Sequence, residues 1–134
     1  MHVSHERKMA LITGATSGIG AAYAQALAEQ GYDLIITGRR REIIEDVARR
    51  IEKKYHVSAS VVIVELSDMV DFSQLVELVR EIGPVDLLVN NAGFTTKGYY
   101  YQQDIIEQER MVLVHIVAMM KLTHTVLPGM IARR

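Results

Sequence analysis

Three glycines near the start of the chain, Gly14, Gly18 and Gly20, have the type and spacing to do chemistry. They follow the apolar run "MALIT" (9–13) and lead into the alanine-rich "AAYAQALAEQ". A glycine turn between a strand and a helix lets backbone N–H groups come close to a pyrophosphate. The helix N-terminus adds partial positive charge at the same place. The spacing, Gly14-x-x-x-Gly18-x-Gly20, is not G-x-G-x-x-G, and a sharp turn alone would also account for a glycine cluster. Its position at the end of the first strand of a strand–helix–strand unit is what favours phosphate.

A second signal lies about 20 residues further on, after the next apolar run "DLIIT" (33–37). At this point a dinucleotide fold selects its cofactor. An acidic residue bonds the ribose 2′-OH of NAD, and an arginine accommodates the 2′-phosphate of NADP. Here the sequence reads "TGRRRE", with no carboxylate at Gly38 or Arg39. Arg39, with Arg40 beside it, is the candidate phosphate ligand, and Arg41 reads as a solvated residue opening a helix. NADP(H) is therefore expected over NAD(H).

The elements that position these residues follow from periodicity. Strands are expected at 9–13, 33–37, 58–66 and 84–93, each apolar on both faces. Helices are expected at 18–30, with Ala21, Ala24, Leu27 and Ala28 on one face and Gly31 closing the C-terminus, and at 41–54, on Ile43, Ile44, Val47, Ala48 and Ile51. A third helix follows Asp71, which with Gln74 resembles a capping box, and a long fourth runs from about Asp104 with an interruption expected near Pro128. Alternating β and α elements with fully apolar strands imply an α/β fold, a doubly wound, Rossmann-like parallel sheet of order 3-2-1-4.

Composition bounds the partners. The chain has 134 residues, 49% apolar and 23% charged, with a formal net charge of −1, which argues against nucleic acid. The absence of cysteine excludes disulfides and thiolate metal sites, no metal is expected, and the composition fits the cytoplasm. No uncharged apolar run approaches the ~18 residues of a membrane span, so no membrane partner is expected. Residues 1–8 read as a polar leader without the apolar stretch of a signal peptide, and 9–134 as one nucleotide-binding domain.

Together, Thr13-Gly14-Ala15-Thr16-Ser17-Gly18-Ile19-Gly20 and Asn90-Asn91-Ala92-Gly93 resemble the TGxxxGIG and NNAG motifs of the short-chain dehydrogenases/reductases. The resemblance runs through "LTHTVLPGMIARR" and implies an enzyme moving hydride between a nicotinamide dinucleotide and a carbonyl or alcohol carbon. It implies that Gly14, Thr16, Ser17, Gly18 and Ile19 line the pyrophosphate and ribose, and that Gly20 lets the first helix pack closely. Glu65 stands where the family more often has an aspartate on the adenine amino group, with the Leu66 backbone completing that contact. Asn90, Asn91, Ala92 and Gly93 would border the adenosine ribose and brace the sheet; for Asn91 a structural role is as good a reading as direct contact. The long helix would form a dimer contact, so a homo-oligomer is expected. Its residues from Met111 to Leu122 are apolar around most of the circumference.

Two departures stand out. His115 occupies the place of a family asparagine that distorts the long helix and holds a relay water; a histidine there could bond a water or be a satisfied core residue. The family's catalytic serine and Tyr-x-x-x-Lys pair also find no match. No tyrosine has lysine four residues on, and no serine follows Ser73. The chain is expected to stop before the fifth strand and to be inactive alone. It is then either the first half of an oxidoreductase or a stand-alone nucleotide-binding or interaction module. "GYYYQQ" reads as the variable loop near the substrate side.

Overall fold

The computed structural model describes residues 7–134. Most of the polar leader, residues 1–6, lies outside the described residues. The elements run β1 (Met9–Ile12), α1 (Gly18–Glu29), β2 (Asp33–Gly38), α2 (Arg41–Tyr55), β3 (Ala59–Ile63), α3 (Met69–Ile82), β4 (Leu87–Val89), a 3₁₀ turn (Tyr100–Gln102), α4 (Ile105–Val112), a π-helical segment (Leu113–Ala118) and α5 (Met119–Arg133). The four strands are parallel in the order β3-β2-β1-β4, as the sequence predicts.

Side chains alternate across a strand, so each central strand feeds two cores. Ala10, Ile12, Leu34 and Ile36 point to one face, where Ala24, Leu27 and Ala28 of α1 and Ile44, Ala48 and Ile51 of α2 cover them. Leu11 and Ile35 point to the other face, under Phe72, Leu75 and Val79 of α3 and Val114, Ala118, Leu122 and Val126 of the long helix. The result is a three-layer α/β/α sandwich.

Several boundaries differ from the sequence reading. The third strand is Ala59–Ile63 and the fourth only Leu87–Val89; the residues after them, 64–66 and 91–94, turn into loops that line the crevice. Gly20, not Ala21, joins the buried face of α1. Gly31 does follow the α1 C-cap, with φ +91°. The cap of α3 is Asp68, whose Oδ1 accepts from the N–H groups of Val70 (2.9 Å) and Asp71 (3.0 Å). Asp71 instead accepts from the Glu65 N–H at 3.1 Å and so fixes the loop before the helix. The long helix runs through Pro128; its irregularity falls at Leu113–Ala118, centred on His115.

The 29-residue run Ile105–Arg133 is long and apolar enough to cross a membrane by composition. It is used here as a layer of the sandwich, with the row Val114, Ala118, Leu122 and Val126 buried. The sequence predicts burial around most of this helix, but Val112, Ile116 and Met120 are exposed. A helix with one buried face and one open apolar face is the observed arrangement.

At Gly20 a Cβ would stand 2.2 Å from the Gly14 carbonyl oxygen and 2.4 Å from the Asn91 side-chain nitrogen. Both are held by other bonds, so they have little room to give. Gly20→Ala is therefore expected to destabilise the fold by about 1–3 kcal/mol, the usual cost of overpacking. A lowered urea midpoint at unchanged slope checks this; an unchanged midpoint contradicts the close packing of α1 on the first turn.

Candidate functional site

At the C-terminal ends of β1 and β4 two turns are locked together. Thr13, 2% exposed, is the hub. Its hydroxyl oxygen accepts from the N–H groups of Asn91 (3.1 Å) and Ala92 (3.0 Å). The Asn91 side-chain amide donates back to the carbonyls of Thr13 (3.2 Å) and Gly14 (2.9 Å). On the other side the Gly14 N–H meets the Thr37 hydroxyl at 3.3 Å, and the Ala15 N–H donates to the Thr37 carbonyl at 2.9 Å. Gly14 has φ +67°, and a Cβ there would meet the Ala92 Cα at 2.8 Å. The glycine is thus required twice, by conformation and by the approach of the NNAG turn.

These ties open a crevice of about 370 Å³ above the sheet. Of the residues singled out from the sequence, Gly14, Thr16, Ser17, Ile19, Arg39, Arg40, Glu65, Leu66, Asn91, Ala92 and Gly93 line it. Gly18 and Gly20 lie in the first turn of α1, Gly18 with φ +59°. Asn90 points elsewhere, donating to the Thr123 hydroxyl at 3.2 Å. Asn91 spends its amide on the two turns, which matches the bracing role.

The helix ends divide in an informative way. Asp68 and Asp104 cap α3 and α4 through their side chains, whereas the N-caps of α1 (Ser17) and α2 (Arg40) make no side-chain cap bond. Ser17 and Arg40 are the two caps that face the crevice. The first-turn N–H groups of a helix have no intrahelical partner. Those of α1, where Ser17 and Ile19 line the crevice, are therefore available to an acceptor there, as an anionic pyrophosphate would require; at α2 the cap is an arginine, whose side chain can only donate.

Charge is concentrated at one end. Glu65 Oε1 accepts from the Ser67 hydroxyl (2.7 Å) and N–H (3.3 Å). Its Oε2 lies 3.4 Å from both Arg39 Nη1 and Arg110 Nη2. Burial pushes the Glu65 carboxyl pKa up, but the two Ser67 bonds and then the charges of Arg39 and Arg110 outweigh it, and the group is held below its ordinary value. Arg110 is raised, first by its hydrogen bond to Glu107, against some desolvation, with the Glu107 and Glu65 charges adding to the rise.

His115 sits inside the π segment with its ring against Gly93, where a Cβ would meet His115 Cε1 at 2.4 Å. Its Nε2 lies 3.0 Å from the Phe94 N and 2.8 Å from the Phe94 carbonyl oxygen. Nε2 can accept from the N–H or donate to the carbonyl, but in either case it is engaged with the backbone just beyond the NNAG turn. The residue is exposed rather than in the core, and only Nε2 is engaged, so Nδ1 remains for a water. Tyr99, Tyr100 and Tyr101 are exposed, with Tyr99 and Tyr101 stacked at 5.9 Å. No group of ligands suited to a metal occurs among the described residues.

Sequence reasoning gave Thr13 no role beyond its place in the motif and missed Thr37, Phe94 and Arg110. Thr13 and Thr37 each end a buried strand as the polar residue before a glycine, a pattern that signals a turn anchored by a hydroxyl. Arg110 carries no such signal, because its partner Glu65 lies far away in the sequence, on the loop after β3.

With this geometry in place, the family is clear. The short chain dehydrogenase family profile matches residues 8–134, and the chain belongs to that family. It is 35% identical over 130 residues to an uncharacterized oxidoreductase of Staphylococcus saprophyticus, covering 96% of this chain and 56% of the relative. Among solved structures it resembles L-sorbose reductase from Gluconobacter frateurii complexed with NADPH and L-sorbose (TM-score 0.87, 31% identity, 95% of this chain and 49% of that one). It also resembles a short-chain dehydrogenase from Sphingobium yanoikuyae in complex with NADPH (TM-score 0.86, 31% identity, 90% and 47%). The chain spans about half the length of these relatives.

The lowered Glu65 pKa has a signed consequence. A carboxyl depressed in the folded state adds stability that is complete above its unfolded pKa and is lost as pH falls through the folded value. The pairs are partly exposed, so the amount is about 1 kcal/mol or less. Glu65→Gln is expected to flatten the loss of stability below pH 5 in urea titrations across pH. An unchanged acid slope contradicts the ionised, paired Glu65.

Proposed function

We propose that the chain is the cofactor-binding half of an NADP(H)-dependent oxidoreductase acting on a carbonyl or alcohol substrate. The observation that carries this is the crevice itself. It combines the uncapped N-terminus of α1 with an arginine, Arg39, just beyond the buried part of β2. The uncapped end suits a pyrophosphate, and Arg39, with Arg40 beside it, suits a 2′-phosphate. A bound nicotinamide would supply or accept the hydride. The residues of this chain do the rest of the binding. Gly14, Thr16, Ser17, Gly18 and Ile19 would hold the pyrophosphate and ribose, while Glu65, Leu66 and the NNAG turn would border the adenosine.

Proton transfer is a separate task. Hydride addition to a carbonyl builds charge on oxygen, and an acid of tuned pKa must meet it. The sequence holds no Tyr-x-x-x-Lys, and Ser73, its last serine, is exposed on α3 and bonded to the Met69 carbonyl. The 134-residue chain therefore binds the cofactor without turning over a ketone. Its exposed β4 edge and the open apolar face of the long helix support association with a second copy, and its composition supports a cytoplasmic location. The uncapped α1 end and Arg39 favour this reading over a stand-alone interaction module, and the family match over residues 8–134 favours it over a stand-alone nucleotide-binding module.

Titration of NADPH and NADH tests both parts. One charge-assisted contact is worth about 1.5–3 kcal/mol, so NADPH is expected to bind roughly 10- to 150-fold more tightly than NADH. Arg39→Ala is expected to remove most of that preference with little change for NADH. A ketone panel run alongside should show no reduction above background. Equal affinity for the two cofactors refutes the Arg39 assignment, and robust turnover refutes the division of labour.

A further inference from the structure

Arg110 belongs to no motif, yet it reaches the adenine end of the crevice from the long helix. We propose that Arg110 is a specificity-determining residue for the cofactor: by sharing the Glu65 carboxylate with Arg39, it frees Arg39 to take a 2′-phosphate. This inference rests on reading the crevice as a nicotinamide dinucleotide site.

The geometry sets up a competition. Glu65 Oε1 is taken by Ser67, and Oε2 faces two guanidinium groups, each at 3.4 Å. Without Arg110, Oε2 would serve Arg39 alone. A phosphate would then have to displace a carboxylate from its only arginine and leave that carboxylate unpaired beside a second anion. With Arg110 present, Glu65 keeps a cation when Arg39 turns away.

The two arginines are not equivalent. The Arg39 side chain is 60% exposed and that of Arg110 only 30%. Arg110 is held from several sides: Nη1 donates to Glu107 Oε1 at 2.6 Å, Nε approaches Ser67 Oγ at 3.4 Å, and the guanidinium lies 5.4 Å over the Phe94 ring. Arg110 is the fixed partner and Arg39 the one free to exchange Glu65 for phosphate. Glu107 neutralises part of the Arg110 charge. The effect therefore works through Glu65 rather than through a bare positive field at the phosphate.

The ratio of NADPH to NADH affinity isolates this role, because both cofactors share the adenine contacts. Arg110→Gln is expected to lower the ratio roughly two- to fivefold, with NADH affinity held within about twofold, the scale of a partly exposed ion pair. Arg110→Lys should restore part of the ratio by keeping the charge. In a Glu65→Gln background, Arg110→Gln should have no further effect on the ratio. A wild-type preference for NADPH that is unchanged in Arg110→Gln overturns the proposal. So does an equal loss in the Glu65→Gln background, which would make Arg110 a field charge. If the wild type binds neither nucleotide, the reading of the crevice fails first, and this inference falls with it.

Discussion

The architecture of the site depends on one reciprocal set of hydrogen bonds, between Thr13 and Asn91. Strand order reverses at β1, with β2 to one side and β4 to the other, and the chain leaves the two neighbouring strand ends in different directions. Such a switch point leaves a crevice, but only if both turns stay where they are. The Thr13 hydroxyl accepts two N–H groups of the NNAG turn, and Asn91 returns two bonds to the carbonyls of Thr13 and Gly14. These are buried or half-buried groups, for which an unmet partner costs about 1–3 kcal/mol. The two turns are thereby coupled into one rigid rim.

The glycines and the charges build on that rim. Gly14 and Gly20 let the NNAG turn and the first turn of α1 close to van der Waals contact, so the α1 N-terminus opens at the rim. The helix whose first turn lines the crevice, α1, leaves its N–H groups uncapped by side chains. The two acidic caps, Asp68 and Asp104, belong to α3 and α4. Opposite the glycine turn, Arg39, Glu65 and Arg110 concentrate charge at one end. His115 adds a brace from below, fastening the π segment of the long helix to the Phe94 backbone.

Much of this was legible in the sequence, and the exceptions have physical reasons. Strand order and both motifs could be read because parallel strands buried on both faces leave a continuous apolar signature. The cap of α3 could not, since Asp68 and Asp71 are both competent and the loop trajectory decides between them. Pro128 looks like a helix breaker, yet α5 carries it, because the carbonyl it leaves without a partner is that of the exposed His124, within reach of water. The true irregularity lies at His115, where nothing in the local apolar pattern marks a π turn. The family comparison named that position, but it did not foretell that the ring would engage Phe94. Arg110 stayed hidden because long-range ion pairs leave no periodic trace.

We place the nucleotide at the rim joined by Thr13 and Asn91. Amide hydrogen exchange of the 134-residue chain with and without saturating NADPH tests it most directly. Slowed exchange is expected at Ser17 to Gly20 and in the NNAG turn, with the exposed face of the long helix unchanged. Slowed exchange elsewhere, with residues 14–20 and 90–93 unaffected by bound NADPH, would contradict it.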